Sequence, residues 1–123
     1  MSRYAHRWLN GEICSLPVGK AVCVGRNYAQ HAKELNNPIP SEPLLFIKPS
    51  TSFTALQPGF AIPVIGECHH ELELAFLIQS PLKNAQEAEV LPAIAGVALA
   101  LDLTMRDRQQ KVKEAGHPWE VAK

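Results

Sequence analysis

Residues 71–78 read Glu-Leu-Glu-Leu-Ala-Phe-Leu-Ile, and no other stretch of the chain restricts its fold so tightly. A run this apolar, with acids at alternate positions where it begins, suits a strand, because successive strand side chains point to opposite faces. Counting from the two preceding histidines, His69, Glu71, Glu73, Ala75 and Leu77 share one face. His70, Leu72, Leu74, Phe76 and Ile78 share the other. Two carboxylates therefore crowd one end of an otherwise apolar face. Their side chains start under about 7 Å apart, a gap that two flexible Glu arms can close onto one cation but across which two bare carboxylates repel. The alternative is a half-exposed strand whose acids simply face water.

Ten prolines and seven glycines cut the rest of the chain into short apolar runs, the pattern of a loop-rich α+β fold in one domain. Asn10-Gly11, between Arg7 and Cys14, predicts a hairpin with a type I′ turn, whose two central positions need positive φ. Residues 20–24 predict a strand closed by Gly25, and Asn27 caps an expected helix to Leu35, ended by Pro38 and Pro40. Residues 44–47 predict a buried strand, and residues 61–65 an edge strand because of Pro63. Residues 95–101 are apolar without alternation, as expected of a strand covered on both faces, with Asp102 where it ends. Thr104 and Asp107 have capping-box spacing, opening a helix through Lys113 that stops near Gly116 and Pro118.

Charge narrows the partners. Twelve basic residues balance twelve acidic ones among 123, so the basic surplus that anchors nucleic-acid binders is missing and nucleic acid is not an expected partner. No apolar run approaches the roughly 20 residues that span a bilayer, so no membrane contact is expected. The N-terminus lacks a basic stretch leading into an apolar one, which makes the cytoplasm the expected location. Cys14, Cys23 and Cys68 are too widely spaced for a zinc ribbon and fit free thiols. A chain of this length buries about two-thirds of its unfolded surface, adequate for a small fold and thin for a large enzyme.

Four groups of residues are candidates for chemistry. Glu71, Glu73 and Asp102 supply three oxygen ligands, which favour Mg²⁺, Mn²⁺ or Ca²⁺ over Zn²⁺. His31 and Glu34 meet at i, i+3 on the predicted helix, either as a general base oriented by its carboxylate or as an ordinary surface pair. Arg106, Asp107 and Gln109 either hold an anion at a helix start or form a solvated first turn. Lys48 and Lys123 either face a phosphate or carboxylate or are solvated. Gly25-Arg26-Asn27-Tyr28 carries one glycine and gives no support for a nucleotide cradle.

Five ordered motifs together resemble the fumarylacetoacetate hydrolase family: Val24-Gly-Arg-Asn-Tyr-Ala-Gln-His31-Ala-Lys-Glu34, Pro43-Leu-Leu-Phe-Ile-Lys-Pro49, His70-Glu-Leu-Glu-Leu-Ala75, Asp102-Leu-Thr-Met-Arg-Asp-Arg-Gln109 and Gly116-His-Pro-Trp-Glu-Val-Ala-Lys123. The chain is most similar to its short branch of acylpyruvate hydrolases, oxaloacetate decarboxylases or tautomerases, and the isomerase/decarboxylase of homoprotocatechuate breakdown. The resemblance implies a β-rich mixed β-roll with short helices. Residues 1–19 would form an N-terminal hairpin segment, and residues 20–123 the N-terminal part of the catalytic domain. Relatives continue beyond the point matching Lys123, so the roll is expected to be incomplete in this chain. Glu71, Glu73 and Asp102 match metal ligands, usually for Mg²⁺ with Mn²⁺ a frequent substitute. His31 and Glu34 match a water-activating dyad, and Lys123 a catalytic residue. Arg106 and Gln109, with Lys123, match residues that face the substrate's carboxylate and oxo oxygens, and Arg26 and Lys48 are further candidates for substrate binding. The implied activity is hydrolysis of a C–C bond in small 2,4-dioxo acids through a metal-stabilised enolate. Oxaloacetate decarboxylation or tautomerisation, or isomerisation of a 2-oxo-dienedioate, is the alternative on the same site, and a non-catalytic metal-binding fragment is the alternative of another class. The family resemblance also implies a homodimer.

Overall fold

In the computed structural model, the described residues are 4–28, 33, 36, 41–62 and 66–123. The β-branched run after Lys20 forms β1 (Ala21–Gly25), and the Leu-Leu-Phe-Ile run forms β2 (Leu44–Lys48). These two pair antiparallel, from Ala21 opposite Lys48 to Gly25 opposite Leu44. The alternating stretch lies within β3 (Cys68–Ile78), which pairs antiparallel with β4 (Ile94–Met105). A short helix α1 (Glu87–Val90), started by a capping box between Gln86 and Glu89, connects them through a 3-10 turn at Leu91–Ala93. Helix α2 (Arg106–Ala115) follows β4 directly. Two antiparallel pairs with short helices bear out the α+β expectation.

Several local expectations change. The hairpin at Asn10-Gly11 forms, with Arg7 bridging Ile13 and Trp8 N–H donating to Glu12 O at 2.9 Å. Its turn is not type I′: Gly11 alone has positive φ, at 90°, and Gly11 N–H donates to Trp8 O. That is the three-residue loop in which an ordinary turn is followed by a glycine bulge. Asp102 does not end an apolar strand, because β4 runs on to Met105. Thr104 caps nothing: it is buried within the strand, and Met105 holds the N-cap position without a side-chain bond. Helix α2 does stop where expected, at Gly116, whose φ of 68° favours glycine. Most of the expected Asn27–Leu35 helix, and residues 63–65 of the expected edge strand, lie outside the described residues. Residues 61 and 62 are described and are not in a strand.

The register decides which side chains share the carboxylate face. Glu71 stands opposite Asp102, His69 opposite Thr104 and Glu73 opposite Ala100, and the face continues through Ala75/Ala98 and Leu77/Gly96. Its far end is small enough for the Trp8 ring to approach the place where a Cβ on Gly96 would stand to within 3.1 Å, which docks the N-terminal hairpin on β4. The opposite face carries Leu72, Leu74, Phe76, Val97 and Leu99, each more than half exposed. The expectation that β4 is covered on both faces therefore fails. Among the described residues, the buried side chains are Cys14, Ala93, Asp102, Thr104 and Ala122. Three of these gather where the carboxylate face meets the C-terminal residues.

Candidate active site

The site is assembled around Asp102 by residues far apart in sequence. Its Oδ2 lies 2.7 Å from Lys123 Nζ and its Oδ1 lies 2.6 Å from Lys48 Nζ. The second contact is an ion pair without hydrogen-bond directionality, and Oδ1 is buried and accepts no hydrogen bond from the described residues. Lys123 Nζ also donates to Thr104 Oγ1 at 2.8 Å and sits 4.3 Å from the centre of the Phe46 ring. Phe46 in turn packs on Trp119. The backbone brings Lys123 here: Met105 N–H donates to Ala122 O, and Ala122 N–H donates to Trp119 O, curling the C-terminal residues against β4.

Lys48 spans the gap between the two sheets. Projecting from β2, its ammonium donates to Leu103 O at 2.9 Å and to Lys123 O at 2.7 Å while pairing with Asp102. Two of its three N–H groups are thus hydrogen-bonded to backbone carbonyls, and its charge is paired with Asp102. Cys23 lies on the neighbouring β1, and its thiol is pushed up first by burial and next by the charge of Asp102.

A second cluster forms where α2 begins. Arg106 NH2 lies 3.6 Å from Glu71 Oε1, NH1 donates to Gln109 Oε1 at 2.7 Å, and Nε donates to His69 Nδ1 at 3.0 Å. Since Nδ1 accepts, Nε2 is left to donate to Glu67. The position of Arg106 is thus set from three sides, beside a cleft of about 330 Å³ lined by Cys68, His69, His70, Glu71 and Arg106. Glu73 accepts a hydrogen bond from the Tyr28 hydroxyl at 3.2 Å. The charge of Glu73, and secondarily that bond, push the Tyr28 phenol above its ordinary range.

Of the sequence candidates, Glu71, Glu73, Asp102, Lys48, Arg106, Gln109 and Lys123 fall on or beside one sheet face. Arg26 does not join them: it is exposed just past β1, with φ of 53°, and makes no hydrogen bond or ion pair to a described residue. His31 and Glu34 lie outside the described residues. Among the described residues no three His, Cys, Asp or Glu side chains converge closely enough to cage an ion. Asp102 meets two ammonium groups, Glu71 a guanidinium and Glu73 a phenol. Thr104, Tyr28 and His69 also meet these side chains and are not among the sequence candidates. His69 was legible as sharing the face of Glu71, whereas Thr104 became visible only through the register.

Comparison with known proteins places this geometry. The model of the fumarylacetoacetate (FAA) hydrolase C-terminal family matches residues 20–123. Oxaloacetate tautomerase YcgM of Escherichia coli (strain K12) is 52% identical over 121 residues, covering 98% of this chain and 55% of the relative. The crystal structure of a fumarylacetoacetate isomerase/hydrolase-like protein from Oleispira antarctica superposes with a TM-score of 0.90 at 55% identity, over 98% of this chain and 54% of that one. A fumarylpyruvate hydrolase from Pseudomonas aeruginosa, solved with Mn²⁺ and pyruvate, matches with a TM-score of 0.72 at 34% identity, over 87% of this chain and 48% of that one. The chain spans about half the length of the relatives it matches.

Proposed function

The chain belongs to the fumarylacetoacetate hydrolase C-terminal family, and from that premise we propose that it acts, with a divalent metal ion, on small oxo acids, oxaloacetate tautomerisation being the foremost activity. The observation that carries the reading is the 52% identity, over 98% of this chain, to a protein named as an oxaloacetate tautomerase. Its support is that seven candidate side chains fall on or beside one sheet face. The relatives' names reverse the order expected from sequence, in which C–C hydrolysis of an acylpyruvate came first.

Glu71, Glu73 and Asp102 suit a hard divalent ion in their oxygen chemistry. Asp102 Oδ1, buried and accepting no hydrogen bond from the described residues, is paired with the Lys48 ammonium at 2.6 Å, so an ion bound there would share that oxygen with Lys48. A related structure holds Mn²⁺, and Mg²⁺ is the proposed ion here, with Mn²⁺ or Ca²⁺ able to replace it. Such an ion, when bound, polarises the 2-oxo carbonyl and acidifies the adjacent carbon. Arg106, aligned by His69 and Gln109, would donate to a substrate carboxylate as a planar fork. Lys123 would place its ammonium where oxyanion charge develops, in a site where Phe46 excludes water on one side. His31, oriented by Glu34, would move the proton between carbon and oxygen. Lys48, hydrogen-bonded to two backbone carbonyls and paired with Asp102, would hold Asp102 and the Lys123 carbonyl in place.

Interconversion of oxaloacetate tautomers is read from the enol absorbance, with Mg²⁺ and with a chelator. The expected result is chelator-sensitive acceleration that Glu71→Ala lowers at least a hundredfold; full turnover in that variant would sink the metal assignment. The second reading, hydrolysis, is favoured by the fumarylpyruvate hydrolase match. Pyruvate plus acetate released from acetylpyruvate would select it. Metal binding without any turnover would select the non-catalytic alternative.

A further inference from the structure

Three carboxylates, Glu71, Glu73 and Asp102, share one face of the β3–β4 pair, and three basic side chains reach it from elsewhere, Lys48 and Lys123 onto Asp102 and Arg106 beside Glu71, so the six formal charges sum to zero. A site tuned only to capture a divalent cation would leave its acidic charge uncompensated. Here Asp102, at 9% exposure, already sits between two ammonium groups at 2.6 and 2.7 Å, and Glu71 has a guanidinium 3.6 Å away. At such distances, and with little water between them, like charges repel and opposite charges compete far more strongly than in solution.

We propose that Lys48, Arg106 and Lys123 act as internal counter-ions to the carboxylates, so that a divalent metal and an anionic oxo acid enter this site as a coupled pair. A metal arriving alone adds two positive charges beside three resident cations. An anion arriving alone meets three resident carboxylates. When both enter, each offsets the charge the other brings, and by linkage each raises the affinity of the other by the same factor. The inference rests on the metal-dependent reading above and extends it, because a metal bridging to substrate would couple the two without the cations having any effect on metal binding alone.

That difference is the test. Mn²⁺ binding to the purified protein is measured calorimetrically, alone and with saturating pyruvate, a weak chelator whose binding to free Mn²⁺ is subtracted. The expected result is a gain of about tenfold or more in Mn²⁺ affinity with pyruvate, within the range usual for coupled sites. R106Q, at a partly exposed position, is expected to bind Mn²⁺ alone several-fold more tightly than the parent and to lose much of the pyruvate gain. R106K, which keeps the charge but not the fork, is expected to restore the parent's affinity for Mn²⁺ alone. Equal Mn²⁺ affinity with and without pyruvate overturns the coupling, and an R106Q that binds Mn²⁺ alone no more tightly than the parent overturns the counter-ion role; either leaves the metal assignment standing. Absence of Mn²⁺ binding under both conditions overturns this inference and the metal assignment together.

Discussion

The two faces of the β3–β4 pair are built from the same backbone and meet opposite fates. On one, Glu73, Asp102 and Thr104 meet side chains from Tyr28, from β2 and from the C-terminal residues, and the N-terminal hairpin packs at the far end against Gly96. On the other, Leu72, Leu74, Phe76, Val97 and Leu99 remain more than half exposed. Apolar burial stabilises in proportion to the area removed from water, about 25 cal/mol per Å², so half-exposed leucines deliver about half of what they could. The polar face, not the oily one, is where the described part of this chain is tied together. An exposed apolar patch of this kind is unusual on a monomeric protein surface, which makes the difference between the faces measurable.

The largest effect belongs at Asp102. Asp102→Asn leaves Lys48 and Lys123, whose side chains are 15% and 4% exposed, paired with a neutral amide. Removing one partner from a buried ion pair costs about 3–5 kcal/mol, because the remaining charge is stranded away from water. Equilibrium urea denaturation should show a midpoint lowered accordingly, together with release of the residues from Trp119 to Lys123. A loss no larger than that of a surface substitution would mean that water reaches the cluster and that the polar face is not closed.

How much of this contrast could be read from the sequence follows from the period of a strand. Alternation assigned His69, Glu71 and Glu73 to one face and Leu72, Leu74 and Phe76 to the other, and that assignment agrees with the paired strands. Alternation says nothing about which face the rest of the chain will cover. Residues 95–101, apolar throughout, were expected to be covered on both sides, yet Val97 and Leu99 are exposed. The pairing of Glu71 with Asp102 needed the strand register, which depends on long-range hydrogen bonds and leaves no local trace. The same holds for Thr104: its spacing from Asp107 imitates a helix cap, and only β4 running to Met105 turns it into an acceptor for Lys123. The turn at Gly11 was misread for a smaller reason, since Asn-Gly serves both a two-residue turn and a bulged three-residue one. Lys48 shows the limit most plainly, because its family motif is legible while its commitment to Leu103, Lys123 and Asp102 is a matter of three dimensions.

A smaller effect is expected from Leu74→Ala on the apolar face. Full burial of a leucine contributes about 1.5–3 kcal/mol, and Leu74 is 52% exposed, so the substitution should cost about 1 kcal/mol in the same denaturation series. The ratio of the two losses sharpens the comparison more than either alone. If Leu74→Ala cost as much as Asp102→Asn, the apolar face would have to be covered in solution, and the contrast between the faces would disappear.

The smallest effect is spectroscopic and reports on the edge of the polar face. The Tyr28 phenol lies above its ordinary pKa of 10.0 because the charge of Glu73 disfavours a second negative charge and the hydroxyl donates to that carboxylate. A group that holds its proton more firmly in the folded state adds stability below its unfolded pKa and loses it as pH rises through the folded value. Tyr28 is well exposed, so the signature to follow is its titration and not a change in unfolding. With Tyr4 replaced by Phe, the midpoint of the phenolate absorbance rise should lie above that of an ordinary tyrosine, and Glu73→Gln should move it back toward the ordinary position. Added salt should do the same in part, because an exposed pair is screened within about 10 Å at 0.1 M ionic strength. An unmoved titration in Glu73→Gln would detach Tyr28 from Glu73, leaving the carboxylate face open at that edge and making the two faces less different than they stand here.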